Sequence, residues 1–274
     1  MIAHLARVLK YATLVIAAVV TLLPLTVIAM AALKTTEEFR STGPLDPPGD
    51  WLNFANFVEA FTRGNMLQGF VNTTIILVFS LFGTILIGTM AAYAIDRFEF
   101  RFKKLVVGLF LIASLVPSVT TQVATFQIIS GLHLFNTHGA AILLFTGTDI
   151  IAIYIFVQFM QGIPRSLDEA AMIDGANRFS IYTRVIFPLL KPAIATVVII
   201  KGIAIYNEFY IPFLYMPSRD LGTISTTLFR FKGPFSAEWE VIAAGVIVVI
   251  VPTLIVFLLL QRWIYNGLTT GAVK

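Results

Sequence analysis

The run FVNTTIILVFSLFGTILIGTMAAYAI, residues 70–95, holds 26 residues without a charged side chain. As a helix rising 1.5 Å per residue it would be about 39 Å long, and about 20 apolar residues already cross the ~30 Å hydrocarbon core of a bilayer. Residues 11–33 and 105–129 repeat the pattern, with 23 and 25 uncharged residues. Three more apolar stretches follow: residues 140–161 enclose Asp149, residues 192–216 enclose Lys201 and Glu208, and residues 241–261 carry no charge. The pattern predicts an all-α membrane protein with six transmembrane helices.

Composition agrees with that solvent. Of 274 residues 58% are hydrophobic and 12% charged, the latter about half the usual share for a soluble protein. Mean hydropathy is +0.88 and there are 24 phenylalanines. These values exclude a soluble enzyme, a DNA-binding domain and a disordered linker. The net charge of +4 comes from basic residues scattered between apolar runs, so no patch suited to nucleic acid forms. The absence of cysteine excludes disulfides, thiolate catalysis and cysteine metal sites. His4, His133 and His138 have no metal-ligand spacing and read as ordinary residues, so no metal site is expected.

Orientation follows from the basic residues. Outside the spans, twelve Lys and Arg fall on the segments that share a side with the N-terminus and six on the opposite side. Both termini are therefore expected in the cytoplasm (N-in/C-in). Arg7 and Lys10 precede a first apolar run longer than the core of a cleaved signal, which predicts a signal anchor.

Two connections stand out. The external segment 34–69 contains Gly43-Pro44-Leu45-Asp46-Pro47-Pro48-Gly49, which cannot be helical. Asn53 to Phe57 with Phe61 then reads as a short amphipathic element at the outer interface. The second connection is the loop 162–191. Ser166-Leu167-Asp168-Glu169 has the spacing of a capping box, predicting a helix that starts at Leu167 and ends at Gly175 in a left-handed cap. A second short helix fits residues 178–187, with Pro188 and Pro192 turning the chain back. Small residues at Ala170, Ala171, Gly175 and Ala176 suit a peg entering another protein's groove, and an amphipathic helix on the bilayer surface fits the same pattern.

Charges inside the spans are costly, about 2.5–3.5 kcal/mol each at a helix centre, so Lys201, Glu208 and Asp149 are expected to face a cavity or partners. Pro212 lacks an N–H and frees the carbonyl of Glu208. A kink there would offer Tyr206, Asn207 and Glu208 to a hydroxylated ligand, or pack them against another subunit. Thr146-Gly147-Thr148 ahead of Asp149 suggests a broken start to the fourth span.

Glu169-Ala170-Ala171, then Asp174-Gly175-Ala176, Val185 and Pro188, resembles the EAA loop of ATP-binding-cassette (ABC) importer permeases. Ala92-Tyr93-Ala94 with Arg97-Phe98, Asn207-Glu208-Phe209 with Pro212, and Gln261-Arg262 followed by Gly267 to Lys274 resemble the corresponding segments of their carbohydrate-uptake branch. The nearest likeness is to the smaller, six-span maltose-type permease. Tyr206 stands where that branch usually has Trp, Val185 and Phe187 where it prefers Ile and Leu, and Arg101-Phe102 replaces a Gly-containing turn.

The resemblance implies one permease domain over 1–274, with a cytoplasmic coupling helix in 162–191 and a cytoplasmic tail, 262–274. It implies ATPase contacts by Glu169, Ala170, Ala171, Asp174, Gly175 and Ala176, and tail contacts by Gly267, Gly271 and Lys274. The substrate path would be lined by Tyr206, Asn207, Glu208, Lys201 and Asp149, with Pro212 as gate or kink. Implied partners are a second homologous permease, two ATPase subunits holding ATP and Mg, and an extracytoplasmic sugar-binding protein. The chain itself would bind no cofactor and would lie, multi-pass, in a prokaryotic plasma (inner) membrane. It lacks a G-x-x-x-x-G-K-[ST] loop, so it is not expected to be an enzyme. The competing readings are an ion-coupled secondary transporter, an ABC permease for a polyol or glycerophosphate, and an intramembrane enzyme. No inverted repeat or nucleophile–base set supports the first or the last.

Overall fold

The computed structural model describes the backbone at residues 2–117, 119–147, 149–233 and 237–272, and the side chains among these from Arg7 to Ile255 and at Leu258. In chain order the helices are α1 (Ile2–Leu33), α2 (Thr36–Ser41), α3 (Ala55–Arg63), α4 (Met66–Arg97), α5 (Lys103–Leu115), α6 (Gln122–Gly131), α7 (His138–Thr146) and α8 (Ile150–Gln161). There follow α9 (Ser166–Ile173), α10 (Arg178–Ile181), a π-helical turn (Tyr182–Ile186), α11 (Phe187–Leu189), α12 (Lys191–Asn207), α13 (Tyr210–Tyr215), α14 (Ile224–Thr227) and α15 (Trp239–Ala272). Among the described residues the only extended pairing is an isolated bridge between Lys232 and Ala237.

The fold is all-helical, but the six predicted spans do not appear as six straight helices. Residues 7–33 of α1 and the whole of α4 are each long and apolar enough to cross a bilayer. The third predicted span is divided. Val116 leaves helical geometry at ψ 117° because Pro117 follows it, and the helix resumes only at Gln122. The fourth breaks by 43° between α7 and α8, as the polar residues before Asp149 suggested, and Thr148 in that break lies outside the described residues. The fifth ends at Asn207, where Glu208 turns extended at ψ 122°. That break lies four residues before Pro212, whose ring would collide with the Glu208 carbonyl in a continuous helix.

The chain forms two compact units. In the first (Met1–Gly69 with Ile224–Phe257), residues 7–26 of α1 are exposed throughout. The buried Lys34 ammonium donates to Thr42 Oγ1 and the Gly43 carbonyl, both at 2.8 Å. Asn56 Nδ2 donates to the carbonyls of Ala32 and Lys34 at 2.9 and 2.7 Å, satisfying acceptors that the end of α1 leaves open. The amphipathic element expected near Asn53 to Phe61 is α3, whose Val58 and Phe61 remain exposed. A true capping box opens α2. Thr35 Oγ1 accepts from Glu38 N, and Thr35 N donates to Glu38 Oε2. That backbone N–H holds the half-buried Glu38 carboxyl below its ordinary pKa. Arg63 pairs with Glu59 and Glu238 and lies 4.9 Å above the Phe231 ring.

The second unit (Phe70–Thr223 with Leu258–Lys274) holds the larger core. Ala92 and Tyr93 of α4 pack with Phe156 and Met160 of α8 and with Ile181 and Ile186 after α9. Buried Asn72 donates to the carbonyls of Asp220 and Gly222 at 2.8 and 2.9 Å, which leaves its Oδ1 to accept from His138 Nε2 at 2.9 Å. His138, ordinary in the sequence, is thus a structural tie.

Candidate functional site

The loop 162–191 folds into a compact appendage seated on the end of α4. Helix α9 does not begin as the sequence suggested. Arg165 occupies the N-cap without a side-chain hydrogen bond, and Ser166 is already helical, so the Ser166–Glu169 capping box does not form. The Pro164 carbonyl accepts from Leu167 N, and the φ preset by proline starts the turn one residue early. Asp168 and Glu169 still fall in the first turn, where the helix dipole favours carboxylates.

The far end matches expectation. Gly175 has φ +84°; its N–H donates to the Met172 carbonyl and that of Ala176 to the Ala171 carbonyl. This is a Schellman closure, completed by the half-buried Ala171 and Ala176, both packed on the core. The six residues named from the motif therefore split by side. Ala171 and Ala176 face inward, whereas Glu169, Ala170, Asp174 and Gly175 are exposed. Beside them Ile173 is 86% exposed and Phe179 67%, an apolar tip that the described residues leave largely uncovered.

After Gly175 the predicted second helix is present but interrupted. Asn177 caps α10 by accepting from Ser180 N at 2.8 Å. The next turn widens to π geometry, with Phe187 N bonding the Tyr182 carbonyl. Pro188 lacks a donor, and a wide turn just before it accommodates the missing bond. Buried Tyr182 places its hydroxyl 2.7 Å from Thr89 Oγ1 of α4.

Sequence reasoning missed what seats α9. Arg97, 4% exposed at its side chain, donates through Nη1 to Asp96 Oδ2 at 2.6 Å and through Nη2 to the Ile163 carbonyl at 2.9 Å. Its Nε lies 3.2 Å from Oδ2 of Asp168, itself buried. Arg165 reciprocates by donating to the Asp96 carbonyl at 3.0 Å. Arg97 was legible as part of a motif; its partner Asp168 was read only as part of the capping box.

Within the predicted spans, Lys201 Nζ lies 2.6 Å from Asp149 Oδ2, with both side chains mostly buried. The other Asp149 oxygen accepts from Ala152 N at 3.1 Å and caps α8. The sequence placed both charges in a shared interior without pairing them. At the break after α12, Glu208 Oε1 accepts from Tyr210 N at 2.8 Å and Ile211 N at 3.3 Å, fastening the start of α13. Asn207 is exposed, with its amide bonded back to the Ile203 carbonyl at 2.9 Å, and Tyr206 is half-buried. Pro212 is buried in α13. Tail residues Gly267 and Gly271 lie within the backbone of α15, and Lys274 lies outside the described residues.

Comparisons with known proteins agree with this arrangement. The family described as "Binding-protein-dependent transport system inner membrane component" matches residues 84–269, a stretch that includes α9, Gly175 and the break at Glu208. The melibiose/raffinose/stachyose import permease protein MelC of Bacillus subtilis is 31% identical over 92% of this chain and 91% of its own length. The sulfoquinovosyl glycerol transport system permease protein SmoH of Agrobacterium fabrum is 32% identical over 80% and 78%. Among solved structures, a bacterial ABC transporter that imports the acidic polysaccharide alginate shares the fold, with a TM-score of 0.82, 19% identity and coverage of 94% of this chain and 96% of that one. The motif resemblance, the matched family and the full-length relatives converge: this chain belongs to the inner-membrane components of binding-protein-dependent transport systems.

Proposed function

We propose that this chain is the permease subunit of an ABC importer that carries a sugar or oligosaccharide into a prokaryotic cell. In this reading it is one permease domain that crosses the plasma (inner) membrane six times, with both termini in the cytoplasm. It pairs with a second homologous permease, receives substrate from an extracytoplasmic binding protein, and is driven by two ATPase subunits that hold ATP and Mg. The observation that carries the reading is α9. It is a short helix closed by a left-handed glycine, seated on a buried core, with an exposed apolar tip at Ile173. A surface of that kind fits a groove in a soluble partner, which the resemblance to ABC importer permeases makes an ATPase subunit. The sugar class rests on the relatives, among them a permease named for melibiose, raffinose and stachyose.

The mutual pairing of Lys201 and Asp149 weakens the ion-coupled alternative, because each already neutralises the other. Co-expression with the partner permease and ATPase should yield a complex whose ATP hydrolysis rises with sugar-loaded binding protein. Uptake by this chain alone, driven by an ion gradient, would overturn the proposal.

The path would pass the break between α12 and α13, where Tyr206 offers an aromatic face and the exposed Asn207 an amide. Asn207→Ala should weaken uptake with assembly intact, and Pro212→Ala should slow it by letting α12 run on into α13. Normal uptake and sugar dependence in Pro212→Ala would refute the gating role, and loss of the permease pair in Asn207→Ala would assign that residue to the interface.

A further inference from the structure

We propose that Arg97 is a positioning residue, the pivot through which displacement of α9 is handed to α4. Three chain segments meet on its guanidinium, and they are held in two different ways. The end of α4 and the turn after α8 are clamped by directional bonds: Nη1 to Asp96 Oδ2 at 2.6 Å and Nη2 to the Ile163 carbonyl at 2.9 Å. Arg165, the N-cap residue of α9, donates to the Asp96 carbonyl at 3.0 Å and tethers the start of that helix. Beyond that tether, helix α9 is attached otherwise. Asp168 Oδ2 is 3.2 Å from Nε, within ion-pair distance, yet neither carboxylate oxygen makes a hydrogen bond among the described residues.

The distinction has a mechanical consequence. Hydrogen bonds weaken steeply with angle, whereas the attraction between two charges depends on their separation alone. Burial strengthens that attraction, and Asp168 is only 4% exposed. Helix α9 can therefore turn about its tethered start, over the guanidinium, at little cost, while pulling away from it exposes an uncompensated buried charge. Rotation is absorbed and translation is transmitted. The boundaries of α9 suit this motion. Gly162 lies before it and the positive-φ Gly175 after it, and the half-buried Ala171 packs against the core without a long side chain to interlock. The pivot rests on the functional reading above for its role in transport, and on geometry alone for its existence.

The chain has no native cysteine, so two can be introduced and labelled without background. Leu167, next to the pivot, and Phe100, just beyond α4, are both exposed. In the full-length chain in lipid nanodiscs, spin labels at Leu167→Cys and Phe100→Cys should report one separation, to which Arg97→Met or Asp168→Asn adds a second, longer one. Asp168→Glu, which keeps the charge, should retain the single separation. In the assembled transporter, Arg97→Met and Asp168→Asn should still co-purify with the ATPase, but uptake per ATP hydrolysed should fall by an order of magnitude or more. Asp168→Glu should restore most of it. An unchanged label separation in Arg97→Met, unchanged uptake per ATP in Asp168→Asn, or an Asp168→Glu as defective as Asp168→Asn would each overturn the pivot. If the wild-type chain recruits no ATPase, the importer reading fails separately, and the label pair still decides the joint.

Discussion

Glu169→Lys and Gly175→Val are expected to lower uptake by about two orders of magnitude while leaving the membrane-embedded helices assembled. The two act through different physics. Glu169 is exposed in the first turn of α9, where a cation in place of an anion costs only about 0.3–1 kcal/mol of helix stability. Such a cost does not unfold a helix anchored by Asp168 and Ala171, so any larger effect must lie in docking. Gly175 is a backbone case. A Cβ placed there would meet nothing within 4 Å, so the first side-chain carbon has room. Its φ of +84° is the difficulty, because an L side chain in the left-handed region costs about 1–2 kcal/mol. Val should undo the Schellman closure and turn the chain away from the proposed docking face. Gly175→Asn is the control, since asparagine visits that region readily, and it should keep most of the uptake. Co-purification with the ATPase and uptake measured side by side decide the matter. Wild-type values for both in Glu169→Lys would remove α9 from the proposed interface.

The sequence made local features legible. The left-handed end at Gly175 could be read because glycine after a short helical pattern has few other uses. The break at Glu208 could be read because Pro212 dictates it four residues upstream. The start of α9 differs from the sequence expectation for a local reason too: Pro164 competes with Ser166 to begin the turn and wins. The divided third span has a similar cause, since the uncharged run hid the effect of Pro117 on Val116. Other features were out of reach. Arg97 with Asp168, Lys201 with Asp149, and Asn72 with His138 are each brought together by the fold from separate helices. Nothing in the spacing of such residues specifies their pairing. A buried charge advertises that it needs a partner without naming it.

Lys201→Met puts that need to the test. Removing one member of a buried ion pair costs about 3–5 kcal/mol, because the survivor is left charged and unpaired. Asp149 would then face the interior of the second unit with, among the described residues, the Ala152 N–H at 3.1 Å on its other oxygen. The single variant should lose thermal stability by that amount and uptake with it. Lys201→Met combined with Asp149→Asn removes both charges and preserves the cap, since asparagine serves an N-cap as well as aspartate. The double variant should regain stability to within about 1 kcal/mol of the wild type, because an ion pair replaced by neutral groups of similar volume is often close to neutral. Uptake distinguishes a strut from a substrate contact. If the pair holds α8 against α12, the double variant transports at the wild-type order of magnitude. A double variant that is stable but as inactive as Lys201→Met would instead place these charges against the passing sugar.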